Sequence, residues 1–495
     1  MHQYYTVFCK KCQHFSRNFP QIVDKFVIIW YTISGKEVDY MLTICKNNKE
    51  KIKKLIENKS LRSIVISNSD LIDDIILSMC HDGVIDCLAN GFSDKRRHNS
   101  YIPFKLIIAM SIAAKMKIHT SLTDIPAAIQ DHRVLAEIGY NLVNDDKEDF
   151  FTEGTIRYLL SKYSNEDLIA YYNSVVKNHI MPLKDIKPNV HILDCTKIAV
   201  NFDNENYENS TVARDRKGDA MRGYKLSSLR GLYNDTGIIE EIRFGTAATH
   251  DLALSEEMLK TTKCFNRGDI LINDRGFLSR ELINYLKIER GVDTYVPLRN
   301  NMTAFYDAVG IAKRENNWSA HPNRRRINQK IALVSNVTGW DTFGASIDVP
   351  INACVVWDID DDKYIVISTT NTKASAREIV STYELRPEIE EDFRQLKDFW
   401  KIEDFKTTKY NLIAFHIVCV LLGYLFYQLY INSADGSKYL GKSLPVILKN
   451  YNEHTLNHLV LYGGKYFCCM SMIEFFEFRD SCSEEVKKYL LEFFK

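Results

Sequence analysis

The order of hydrophobic and polar positions divides the chain into stretches of different period. From about residue 50 to 180 apolar residues recur at helical spacing: 51–61 and 71–80 predict short helices, and 103–117 an apolar one. Ser121-Leu-Thr-Asp124 supplies helix-start chemistry before 125–138, and Thr152-Glu-Gly-Thr155 does so before 156–163. From about 190 the period becomes two. Runs at 190–200, 224–233, 237–245, 269–274 and 293–298 predict five strands, with helices at 252–260 and 279–289 between the later ones. Strand-like runs follow at 330–337, 352–358 and 363–369. Ile389, Phe393, Leu396 and Trp400 then mark the buried stripe of an amphipathic helix. It starts near Pro387, because proline is tolerated only in a first turn. Residues 412–431 are almost wholly apolar and long enough to cross a bilayer. His416, Gly423 and Gln428 within them, directly after the amphipathic helix, favour a buried helix packed on a sheet. Residues 436–495 return to helical and irregular patterning, with an aromatic cluster at Phe475, Phe476 and Phe478 that suits a dimerisation element or a core helix.

Composition narrows this picture only a little. A chain of 495 residues is too long for one core, so two to four domains are expected. Lys plus Arg equals Asp plus Glu at 64 each, so any surface for nucleic acid must be local. Lys95-Arg96-Arg97-His98 and Arg324-Arg325-Arg326, the latter near Trp318, are such local clusters; each is also readable as solvated loop charge, and Trp318 as a core residue. The twelve cysteines are scattered and no secretory signal opens the chain, which fits reduced thiols in a cytosol. Cys9 and Cys12 form a lone C-x-x-C without a second pair, so no zinc site is expected. Residues 1–40 show no clear periodicity, and translation from Met41 would fit the pattern.

The candidate chemistry lies in carboxylates. Val190, Ile192, Asp194 and Thr196 alternate onto one strand face, and Ile270, Ile272 and Asp274 do so in a second strand. Each aspartate ends an apolar series, where either alone reads as a strand-end cap or a partnered surface acid. In the amphipathic helix, Glu390 and Lys397 sit together about 80–90° to one side of the stripe. Glu391 points to solvent and Asp392 falls on the opposite flank. Two aspartates and a glutamate form an oxygen-only set suited to hard divalent cations.

Tyr383, Arg386, Glu390 and Lys397 resemble the Y-(2)-R-(3)-E-(6)-K signature of bacterial DDE transposases of the insertion-sequence-4 group. Asp194-Cys-Thr196 resembles the D-x-[ST] first motif of that family, and Asp274-Arg-Gly-Phe277 its D-x-G-[FY] second motif, where glycine would ease the turn after the strand. The resemblance covers about 190–430 specifically and implies an α/β, ribonuclease-H-like catalytic core at 190–300 and 375–435, interrupted by a β-rich insertion at 301–374. A poorly defined extension at 1–50 and an α-helical N-terminal domain at 51–185, DNA-binding or plainly structural, would precede it, and a helical region at 436–495 would follow.

The resemblance further implies metal-dependent DNA cleavage at transposon ends and strand transfer into target DNA. Asp194, Asp274 and Glu390 would hold two Mg2+ ions, with Mn2+ as a substitute and Asp194 bridging. Arg386 and Lys397 would grip phosphates, Tyr383 would contact the backbone near the transposon end, and Arg222 and Lys225 are further phosphate candidates. His250-Asp251 opens the helix after the third strand, with Asp251 as the expected cap. The implied partners are terminal inverted repeats, target DNA and a second copy of the chain, in a bacterial cytoplasm at the nucleoid and without a membrane. Two other readings of the same residues are a DNA-binding descendant that no longer cuts, and a ribonuclease-H-like nuclease without strand transfer.

Overall fold

In the computed structural model the described residues are 43–67, 70–96, 102–129, 131–143, 151–183, 188–215, 217–233, 236–337, 349–450 and 458–493. Cys9, Cys12, Met41, Arg97 and His98 lie outside them.

The first described elements are β1 (Thr43–Asn47), α1 (Lys49–Glu57), β2 (Ser63–Ser67), α2 (Leu71–His81), α3 (Val84–Asn90) and α4 (Phe104–Met116). The helix expected over 125–138 is broken. Pro126 limits the first part to a tight turn, Leu122–Ala127, and Asp131 then accepts the amide of Arg133 to start α5 (His132–Ile138). β3 (Tyr140–Val143), α6 (Glu153–Leu160) and α7 (Asn165–Val175) complete this region. Of the basic cluster at 95–98, Lys95 is paired with Asp167 at 2.9 Å and Arg96 with Asp94 at 2.6 Å.

The period-two region folds as β4 (Val190–Val200), β5 (Thr211–Arg214), β6 (Ala220–Tyr233), β7 (Thr236–Thr246), α8 (Asp251–Thr261), β8 (Ile270–Asn273), α9 (Arg280–Tyr285) and β9 (Asp293–Pro297). After α10 (Thr303–Glu315) come β10 (Ser319–Ala320), β11 (Gln329–Val334), β12 (Asn352–Asp358) and β13 (Lys363–Thr369). All ten strands form one sheet, ordered β10-β11-β12-β13-β9-β8-β4-β6-β5, with β7 also paired to β6. β4, β8 and β9 run parallel, while β6 is antiparallel to both β4 and β7. The strands of 301–374 extend the same sheet, because β13 pairs with β9.

Alternation along β4 sorts the two faces. Leu193, with Leu271, packs against Met258 and Leu259 of α8 and Leu282 of α9. Ile192, with Ile272, faces a larger core built by α11 (Ala376–Tyr383), α12 (Pro387–Asp398) and α13 (Tyr410–Ile431). α12 begins at Pro387 as its sequence predicts, and Ile389, Phe393, Leu396 and Trp400 are its buried stripe. α13 is apolar and long enough to span a bilayer, yet 89% of its most apolar window is buried in this core. Within it the His416 Nε2–H donates to the Lys401 carbonyl, and Gly423 leaves room for Trp400 and Met116. The helices α4 and α7 pack on its other side.

α14 (Leu444–Asn450) leads to β14 (His458–Gly463), β15 (Tyr466–Ser471), α15 (Met472–Ser481) and α16 (Glu484–Glu492). The hairpin β14–β15 stands where helical or irregular structure was expected. Leu459 and Leu461 pack on Ile52, Ile56 and Phe475, while Val460 and Tyr462 pack around Ala136 on the other face. A strand buried on both faces has no alternation to read. Its partners also lie far off in the chain: the second sheet is ordered β2-β14-β15-β1-β3, so β2 and β3 interrupt the expected helical region and β1 precedes it.

Two glycines should respond oppositely to alanine. A Cβ on Gly223 would stand 2.0 Å from the Ile198 carbonyl oxygen of the neighbouring strand, whereas Gly310 is exposed in α10 with open space around it. Gly223→Ala should destabilise by about 3 kcal/mol through overpacking, and Gly310→Ala should stabilise by about 1 kcal/mol through helix propensity. Denaturant midpoints followed by circular dichroism check both signs.

Candidate active site

β4 and β8 are parallel neighbours, with Ile192 beside Ile272 and Leu193 beside Asn273. The next residues are Asp194 and Asp274, so the pairing sets the two aspartates side by side, Asp274 just past the end of β8 and Asp194 midway along β4, where its pairing with β8 stops. The Asp194 Oδ1 accepts the Cys195 amide at 2.8 Å, and the Asp274 Oδ1 accepts the Arg275 amide at 2.6 Å. The chain leaves Asp274 through a single tight turn, Arg275–Phe277. Gly276 there has neither a positive φ nor a crowding neighbour, so the expected need for glycine is not met.

The third carboxylate arrives on α12. α11 ends at Tyr383, the Arg386 amide closes a turn onto the Tyr383 carbonyl at 3.0 Å, and Pro387 opens the next helix. One turn further on, Glu390 lies on the flank that faces the sheet's aspartates. The Arg386 guanidinium contacts all three acids: Nη1 donates to the Glu390 Oε1 at 2.8 Å, and Nη2 lies 3.1 Å from the Asp194 Oδ2 and 3.5 Å from the Asp274 Oδ2. Glu391 turns outward to Arg394 and Gln395. The helical phase read from the sequence therefore holds at this site.

Electrostatics follow from this crowding. Burial raises the Asp194 carboxyl to about 6, against the pull of Arg386 and the Cys195 amide and with help from Asp274 and Glu390. Burial also opposes the charge on Arg386, but Asp194, Asp274, Tyr383 and Glu390 outweigh it and hold the guanidinium above its usual range. Tyr383 is pushed up, chiefly by burial, and keeps its proton. Among the described residues no three His, Cys, Asp or Glu side chains are grouped tightly enough to chelate an ion as they stand; Arg386 lies between these three. The donor set fits a hard divalent cation all the same. It is oxygen-only, and the Ser228 hydroxyl, buried and without a partner among the described residues, stands opposite Asp194 on the paired strand.

The remaining candidates are spread around this centre. Lys397 donates to the Lys197 carbonyl at 2.5 Å and pairs with Glu403 at 3.0 Å, alongside β4 and away from the three acids. Lys225 is buried and committed to Asp251 at 2.6 Å and to the Thr249 carbonyl. Asp251 is thus a counter-ion and not the helix cap; the His250 ring accepts the Leu252 amide instead. Arg222 donates to the Phe202 carbonyl and Glu205 at the sheet edge. Trp318 is half-buried against Trp357, with ring centroids 5.3 Å apart, in the core of 301–374. Arg324 and Arg325 are exposed, while Arg326 pairs with Glu384 at 3.1 Å.

That last pair involves a residue the sequence reading passed over, Glu384. Glu384 also accepts from Asn323 at 3.3 Å, and the buried His321 lies 3.9 Å away. With Tyr383, Arg386 and Pro387 these residues line a cavity of about 470 Å3. Glu384 sits inside the Tyr383–Arg386 spacing, but the loop that meets it is some 60 residues upstream (384 − 323 = 61), so no local pattern pointed to it.

The raised Asp194 carboxyl has a measurable consequence. A folded-state value near 6, against about 3.8 for an ordinary aspartate, means that the metal-free fold favours protonated Asp194. Its contribution is full below pH 4 and is lost as pH rises through 6. Without divalent cations, Asp194→Asn should gain thermal midpoint over the wild type progressively from pH 4 to 6 and hold that gain above it. Paired melts across this range check the slope.

A comparison with curated protein sequences found no match. The span that carries β4 through most of α13, and with it Asp194, Asp274, Arg386 and Glu390, is recognised at family level: residues 188–426 match the family model described as a transposase DDE domain.

Proposed function

We propose that the protein is a DDE transposase of an insertion sequence, related to the insertion-sequence-4 group, that cleaves DNA at transposon ends and joins them to target DNA. The observation that carries this reading is the convergence of Asp194, Asp274 and Glu390 on one guanidinium, within the span matching the transposase DDE domain. The strand order β7-β6-β4-β8-β9, three antiparallel strands followed by two parallel ones, supports a ribonuclease-H-like core.

Asp194, Asp274 and Glu390 would hold Mg2+, or Mn2+ in its place. When bound, such ions lower the pKa of the attacking water or 3′-OH and stabilise the leaving oxygen. The chain's own residues prepare the rest. The Arg386 fork contacts the three acids in the free protein, offsetting part of their charge, and, turned outward, would present paired donors to a phosphate next to the scissile bond. Tyr383, protonated and at the rim of the same cavity, offers a hydroxyl to the DNA backbone. Lys397, beside the exposed end of β4, adds a point charge further along the path. The exposed Arg324 and Arg325 lie on the loop whose other residues meet the Arg386 turn, where they would track a phosphate backbone. Strand transfer by this reading involves paired transposon ends and a second copy of the chain.

The test is incubation with DNA carrying the element's terminal inverted repeats and Mg2+. Glu390→Ala should abolish cleavage, by at least about 1,000-fold as expected when a group stabilising the transition state is removed. Glu391→Ala should retain activity within a few-fold. Cleavage surviving in the Glu390 variant, or lost equally in both, would sink the assignment.

A further inference from the structure

The helix that delivers Glu390 and Arg386 is gripped on its other flank as well. There Asp392, 4% exposed, accepts from the Arg230 Nε at 2.6 Å and from the Tyr424 hydroxyl of α13 at 2.8 Å. Glu388, one turn earlier, accepts from the Arg230 Nη1 at 2.8 Å. Arg230 rises from β6 at the position paired with Ile192, two residues before Asp194, so the cation and the first aspartate share a face of the sheet. Two local features make room for it. The β6–β7 register shifts between Leu229 and Arg230, a bulge that re-aims the side chain. Gly237 lies beneath the guanidinium, where a Cβ would fall 1.9 Å from the Arg230 Cζ.

A buried ion pair adds little net stability, and apolar residues of the same volume often serve as well or better. Its particular contribution is direction. The stripe of Ile389, Phe393, Leu396 and Trp400 is held by non-directional contact and tolerates some rotation about the helix axis. Side-chain ends lie about 6 Å from that axis, so a roll of roughly 20° would carry the Glu390 carboxylate about 2 Å. Misplacement by about 1 Å is enough to cost on the order of 100-fold in rate.

We propose that Arg230 is a positioning residue: its buried pairing with Asp392, braced by Tyr424 and Glu388, sets the roll of α12 and so holds Glu390 and Arg386 against Asp194 and Asp274. The consequence for activity rests on the transposase reading above; the geometric part does not.

Single variants would strand a buried charge and could unfold, so the informative protein is the double variant Arg230→Met/Asp392→Leu in the whole chain. Its thermal midpoint should stay near that of the wild type. In its crystal structure Arg386 should no longer reach both Asp194 and Glu390, Mn2+ affinity measured by electron paramagnetic resonance should fall at least 10-fold, and end cleavage should fall about 100-fold in kcat with DNA affinity little changed. Arg230→Lys, which keeps the charge without the fork, should lie between the two. A folded double variant that retains all three Arg386 contacts would overturn the inference, whatever the protein does with metal or DNA. A wild type that binds Mn2+ no better than Asp194→Asn would instead overturn the transposase reading and leave the geometric claim to be judged by the crystal structure.

Discussion

Three carboxylates gathered at one point repel one another, and the site depends on how the fold meets that cost. The parallel pairing of β4 and β8 makes the first two aspartates neighbours whatever the rest of the chain does. Partial burial then makes full ionisation expensive, as the raised Asp194 carboxyl records. A single planar cation, Arg386, reaches all three acids at once and offsets part of their repulsion, because its fork presents several donors in fixed directions.

Everything else fixes where that arginine and Glu390 stand. α12 lies between two charged flanks, Arg386 with the carboxylates on one and Arg230 with Asp392 on the other, over an apolar stripe that sets its depth. Beneath it α13 passes through the core, bonded to Asp392 by Tyr424 and packed on α4 and α7. The N-terminal helices therefore support the site through the most apolar helix among the described residues. This is why a segment that reads as a membrane span is buried in protein.

The segment 301–374 is joined to the site twice. Its strands continue the sheet through β13, and its loop at 321–326 meets Glu384 through Asn323 and Arg326. Glu384 lies two residues before Arg386. The exposed loop carrying Arg324 and Arg325 is thus tied to the turn that carries the central guanidinium.

Local pattern carried much of this. Alternation at Ile192 and Asp194 and at Ile272 and Asp274 placed each aspartate on the same strand face as its apolar neighbours, and the i, i+4, i+7 stripe with Pro387 at its start distinguished Glu390 from Glu391. These features depend on period and on proline's missing donor, which act within a few residues. The pattern also put Asp392 on the far flank but gave no reason for it, because Arg230 approaches from another strand 162 residues away. The same limit hid the strands at 43–47 and 458–471, whose hydrogen-bond partners lie at opposite ends of the chain, and it left Lys225 looking available when Asp251 already holds it. The sequence by itself determined which side chains share a face of each strand or helix, since that follows from backbone geometry. Only the tertiary structure decided which faces meet and which charges pair across them, since those depend on contacts between distant segments.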